Sequence, residues 1–90
     1  MDIGHYVYIL ECRDKTFYIG YARNISKRIK EHNESPRGAK YTRGRRPVKI
    51  VYYEFFESRS EALKYENYLK KKSRLEKLGI VQAFQGNLDL

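Results

Sequence analysis

Glu66 stands where a carboxylate is least expected. On a helix over residues 58–72, advancing about 100° per residue, it falls inside the apolar arc between Leu63 and Leu69. An unpaired carboxylate facing a core is costly unless a cation or metal compensates it. A lone inward acid in a strongly cationic chain can hold Mg²⁺ (or Mn²⁺) against a phosphate. The plainer reading puts Glu66 at the wet margin of the arc, or pairs it with a lysine such as Lys70, which projects from the same side. Arg28 and His32 lie four apart on an earlier helix, share a face and border its Ile25/Ile29 stripe, so both should emerge at the edge of the packed surface.

Two tyrosines complete the set. In a strand alternate residues share a face. A three-residue turn at 13–15 would pair position 10 with 18 and position 8 with 20. Tyr8 then sits opposite Gly20 and diagonal to Tyr18 on one side of a hairpin, and the glycine leaves a gap between the two rings. Cross-strand aromatic packing over a glycine explains the same pattern without chemistry.

The elements that must position these residues follow from pattern. YVYILE (6–11) and TFYIGY (16–21) are β-branched and aromatic runs around an Arg-Asp-Lys turn, which predicts an antiparallel hairpin. Asn24 caps a helix over 25–34. Residues 35–47, holding Pro36, Gly38, Gly44 and Pro47, read as a loop, and VKIVYYEFF (48–56) as the third strand. Ser58 and Ser73 each begin an S-x-x-E capping box, predicting helices to about Lys72 and Phe84. The order is ββαβαα: an α+β fold, a small three-stranded antiparallel sheet flanked by helices, in one domain over 1–84 with a frayed tail over 85–90.

Charge sharpens the functional reading. The chain of 90 residues carries a formal charge of +8. Between Arg23 and Lys49 ten cations face only Glu31 and Glu34, so the excess lies in the first helix and the loop after it. There AKYTRGRRP interleaves Tyr41 with Lys40, Arg43, Arg45 and Arg46 around a glycine. Arginine forks bind phosphates, and an aromatic can stack on an unpaired base. These residues with Lys70 are the candidate nucleic-acid contacts, reading backbone or shape; a solvated basic loop is the alternative for any one of them.

The remaining composition bounds the class. A lone Cys12 excludes an internal disulfide, and with only His5 and His32 besides it a structural zinc site has too few ligands. No apolar run approaches the ~20 residues of a membrane span, and the N-terminus lacks the pattern of a signal peptide. A cytoplasmic, soluble domain is expected.

YVY followed by YIG resembles the paired motif of the GIY-YIG nuclease superfamily, and the resemblance runs from Tyr6 to about Leu78. Through GAKYTRGRRPVKIVYYE and SRSEALKYENYLKK it looks most similar to small stand-alone bacterial members. The resemblance implies an Mg²⁺-dependent DNA endonuclease, acting in DNA repair or processing. It places the two motif tyrosines on Tyr8 and Tyr18, the motif arginine on Arg28, a His/Tyr position on His32, and the metal-binding glutamate on Glu66. Tyr6 and Val7 replace the motif's first glycine and isoleucine, and Tyr21 follows YIG where some repair members have lysine. The family's C-terminal asparagine has no match that can be carried onto Asn87. Two other arrangements keep the same basic face: a non-catalytic nucleic-acid-binding or adaptor module, and an enzyme whose targeting comes from a partner protein.

Overall fold

The middle of the sheet is the strand whose both faces are apolar. The computed structural model describes residues 3–89. β1 (His5–Glu11) lies between β2 (Phe17–Ala22) and β3 (Lys49–Phe56), antiparallel to both. Tyr6, Val7, Tyr8, Ile9 and Leu10 are all buried, because helices cover both faces of this strand. Tyr6, Tyr8 and Leu10 join Ile25, Val48 and Ile50 in one core, and Val7 and Ile9 join Ile19, Tyr52, Ala62 and Leu69 in the other. Each fully buried aliphatic side chain contributes on the order of 2 kcal/mol.

The hairpin register is the expected one, with Tyr8 opposite Gly20 and Leu10 opposite Tyr18. The turn closes through Lys15 N–H to Cys12 O and Cys12 N–H to Thr16 O, each 2.9 Å. Lys15 takes the left-handed conformation, φ 69°, and Asp14 accepts from the Thr16 hydroxyl and backbone N–H. A register shift between Ile9 and Leu10 makes Val51 the extra residue of β3. That bulge sends Ile50 to one core and Tyr52 to the other, although the two are an even number of residues apart.

Helices α1 (Ile25–Glu34), α3 (Arg59–Lys70) and α4 (Arg74–Ala83) occur where caps and periodicity put them. Asn24, Ser58 and Ser73 accept the backbone N–H three residues on, and Ser73 with Glu76 forms the full reciprocal capping box. Ile25 and Ile29 pack on the Tyr8 face of the sheet, and Ala62 and Leu69 on the opposite face.

One element was not expected. The stretch read as loop holds a short helix, α2 (Lys40–Arg43), so the order becomes ββααβαα. Its approach to α1 depends on Gly38, where a Cβ would come within 2.8 Å of Glu31 O and 3.0 Å of Arg46 Nη2. No helix among the described residues is long and apolar enough to cross a membrane.

Candidate active site

β1 carries Tyr8 to the sheet face covered by α1, and α1 brings His32 to meet it: the Tyr8 hydroxyl is 2.8 Å from His32 Nε2. His32 does not emerge at the edge of the packed surface as its spacing suggested; it is wholly buried. The reason is α2, which lies over it and sets Thr42 Oγ1 2.9 Å from His32 Nδ1. Thr42 is itself wholly buried and donates to Ala39 O at 2.9 Å, while the Ala39 N–H is directed at His32 Nδ1 at 3.4 Å. Nδ1 thus lies between the Thr42 hydroxyl and the Ala39 N–H, and Nε2 lies against the Tyr8 hydroxyl.

Burial fixes the charge of this pair. Desolvation, reinforced by the Arg28 and Arg46 cations, lowers the His32 pKa to about 4. Burial raises the Tyr8 pKa well above that of a free phenol; Tyr18 and Glu66 add to the rise, and Arg28 opposes it. At neutral pH the two are a neutral imidazole and a neutral phenol.

The expected gap at Gly20 is filled. A Cβ there would overlap the Tyr8 hydroxyl, with Cζ 2.5 Å away, so the phenol of Tyr8 lies across the glycine itself. Tyr18 therefore has other neighbours. The edge of the His32 ring meets it at a centroid separation of 5.3 Å, and the Tyr41 ring stacks on it at 5.9 Å and 27°. Among the described residues no group takes the Tyr18 hydroxyl in a hydrogen bond.

Arg28 is half-buried, with Nη1 donating to Arg37 O at 2.8 Å and pairing with Glu31 Oε1 at 3.2 Å. These bonds anchor the guanidinium within electrostatic reach of Tyr8. Glu66 comes from α3, which packs on the opposite face of the sheet, and its charge is the smallest of the influences that raise the Tyr8 pKa. It is neither unpaired nor fully inward: its side chain is 15% exposed, and Lys70 Nζ lies 3.3 Å from Oε2. Among the described residues no three His, Cys, Asp or Glu gather into a metal cluster. A single carboxylate fits Mg²⁺, which keeps most of its water and takes further oxygens from a phosphate.

The basic segment divides. Lys40, Tyr41 and Arg43 are exposed on α2. Arg45 lies 3.9 Å over the Tyr41 ring, donates to Tyr41 O at 2.8 Å and pairs with Asp14 at 3.1 Å. Tyr41 thus stacks on Tyr18 and carries the Arg45 guanidinium over its ring, so less of the ring is free to stack on a base. Arg46 is a correction to the nucleic-acid set: it turns inward, and Nε and Nη2 donate to His32 O, Ser35 O and Glu31 O at the C-terminus of α1. Thr42 and Lys77 were missed; Lys77 borders the cleft beside Tyr18, with Phe17, Tyr41 and Lys70. The three-residue spacing of Arg74 and Lys77, which puts both on one face of α4, was the available signal.

A three-stranded antiparallel sheet with helices on both faces, carrying the bonded Tyr8 and His32 with Arg28 beside them on one face, points to the class. The chain belongs to the GIY-YIG family: the GIY-YIG catalytic domain matches residues 4–78. It is 53% identical over 79 residues to the UPF0213 protein CPE1444 of Clostridium perfringens, covering 88% of this chain and 84% of that one. To the UPF0213 protein of Syntrophus aciditrophicus it is 55% identical over 78 residues, covering 87% and 90%. Two solution NMR structures share the fold. The UPF0213 protein BH0048 of Bacillus halodurans is 46% identical, with TM-score 0.59 over 91% of this chain and 86% of that one. The protein EF2693 of E. faecalis is 41% identical, with TM-score 0.63 over 97% of each. Membership of this family supports a nuclease-like role.

Proposed function

We propose that this chain is a metal-dependent endonuclease that hydrolyses DNA phosphodiesters. The observation that carries the reading is the buried Tyr8–His32 hydrogen bond with the Arg28 guanidinium beside it, all on one face of the sheet. Packing that core calls for apolar side chains, not a bonded phenol and imidazole next to a cation.

The roles follow from chemistry. Glu66 would hold one divalent ion, Mg²⁺ or Mn²⁺, which supplies Lewis acidity and charge neutralisation at the phosphate. Arg28, already oriented by Glu31 and Arg37 O, stabilises charge that develops on the phosphate oxygens. Tyr8 is held by its hydrogen bond to neutral His32, which fixes where its oxygen sits in the site. Tyr18, whose hydroxyl is uncommitted among the described residues, orients the attacking water. Lys40 and Arg43 attract the DNA backbone through their exposed charge.

The Lys70–Glu66 pair favours a second reading, a nucleic-acid-binding module without chemistry, because a lysine already compensates the carboxylate. One experiment separates the two: nicking of plasmid, branched and single-stranded DNA with Mg²⁺ or Mn²⁺ by wild type, Glu66→Gln and Tyr18→Phe. Cutting by wild type that both variants lose by about 10²-fold or more supports hydrolysis. A wild type that binds DNA and cuts none of these substrates leaves the binding module.

A further inference from the structure

The cleft beside Tyr18 continues beyond the site. One lobe, about 230 Å³, is bordered by Tyr18, Tyr41, Lys70 and Lys77. A second, about 210 Å³, lies between Thr16, Phe17, Tyr41, Arg74 and Lys77. Phe17, Tyr41 and Lys77 border both, so the lobes form one groove. It follows β2, one of the two edge strands of the sheet, from the middle of the strand to the hairpin turn, with α2 on one lip and α4 on the other.

Every charged side chain bordering the groove is a cation: Lys70, Arg74 and Lys77. Asp14 and Glu76 are engaged elsewhere, with Arg45 and Lys72, while Glu66 pairs with Lys70 at the border of the groove and leaves Arg74 and Lys77 as its uncompensated cations. Arg74 is held in place, its guanidinium 4.9 Å over the Phe17 ring and Nη1 donating to Lys15 O at 2.7 Å. A guanidinium laid on a ring and tied to a carbonyl loses little freedom on meeting a phosphate, and its plane is a surface on which a base stacks.

We propose that this groove is a subsite for an unpaired DNA strand flanking the bond to be cut, with phosphates on Lys77 and Arg74 and bases against the Arg74 plane. The proposal rests on the nuclease reading and specifies its substrate class. A duplex keeps its bases stacked on one another and is far wider than either lobe, whereas a single strand presents both phosphates and ring faces to a narrow groove.

The test is binding without cutting. A labelled oligonucleotide, single-stranded or as a duplex of the same length, is titrated by fluorescence anisotropy in EDTA at several salt concentrations. Wild type should bind the single strand more tightly than the duplex. Arg74→Ala with Lys77→Ala should weaken single-strand binding about tenfold and lower the slope of log K on log salt by about 1.4, near 0.7 for each lost phosphate contact. Lys77→Gln alone, which leaves the Arg74 bonds to α4's neighbours intact, should lower that slope by about 0.7. Equal affinity of wild type for both DNAs, or folded variants with unchanged single-strand affinity and slope, overturns the subsite. Because EDTA removes catalysis, a wild type that binds the strand through these residues but never cuts loses the nuclease reading and keeps the groove.

Discussion

The Tyr8 hydroxyl and His32 Nε2 lie 2.8 Å apart with both side chains closed to solvent, Tyr8 at 1% exposure and His32 at 0%. A buried imidazole so placed resists protonation, and its pKa falls to about 4. In an unfolded chain histidine titrates near 6.5, so between those values the unfolded state binds more protons. His32 therefore opposes folding increasingly as pH falls from about 6.5 to about 4, by up to about 3 kcal/mol. Urea unfolding at pH 7, 5.5 and 4.5 should show that loss, and His32→Asn should flatten the His32 part of the curve. An acid limb identical in wild type and variant would count against a neutral His32.

Gly20 sets where the Tyr8 oxygen sits. Adding one methyl in Gly20→Ala puts a Cβ into the phenol ring, and relief requires movement of a buried tyrosine. Overpacking of this kind costs about 1–3 kcal/mol. Thermal unfolding should register that loss, and nicking activity should fall further than the loss of folded protein explains, because the hydroxyl leaves His32. Gly44, where a Cβ meets nothing within 4 Å, is the matched control: Gly44→Ala should leave activity unchanged.

Lys70 and Glu66 compete with metal for the same charge. Lys70 Nζ is 3.3 Å from Glu66 Oε2 on a half-exposed side chain, so the pair contributes no more than about 1 kcal/mol. Lys70→Met should then lower the Mg²⁺ concentration for half-maximal nicking by up to about fivefold, while Glu66→Gln should remove the Mg²⁺ response. A titration in which Lys70→Met needs more Mg²⁺ than wild type would instead make Lys70 a contact to substrate phosphate.

The strands, the three long helices and the hairpin register were legible because each has a local cause: alternation, a cap, or a turn of fixed length. Tyr8 opposite Gly20 followed from counting across the turn at 13–15. What the sequence concealed depends on α2. Four residues, Lys40–Arg43, have too little periodicity to announce a helix inside a segment rich in glycine and cations. Without α2, His32 looks like an edge residue and Thr42 like a loop polar group. With it, both are buried and bonded to each other. Charge concealed the division of the arginines for a related reason. Composition counts Arg43 and Arg46 alike, and only the fold shows that one faces water and the other closes the end of α1.

That division predicts opposite phenotypes for two arginines three residues apart. Arg46 donates to the carbonyls of His32, Ser35 and Glu31; the last two also take the Gly38 and Ser35 N–H, but His32 O faces Pro36, which has no N–H, so Arg46→Ala takes away its donor. It should destabilise the fold by about 1–3 kcal/mol, with little effect on the salt slope of DNA binding by the folded fraction. Arg43 is exposed at the end of α2, and Arg43→Ala should leave the melting temperature within error. Its effect should appear in binding, weaker across all sequences, with a salt slope lower by about 0.7 to 0.9 for one lost phosphate contact. Thermal melts and anisotropy at three salt concentrations measure both quantities on both variants. If Arg46→Ala melts like wild type and takes the salt slope down, Arg46 reaches the DNA after all, and its three carbonyl bonds are not what holds it in the fold.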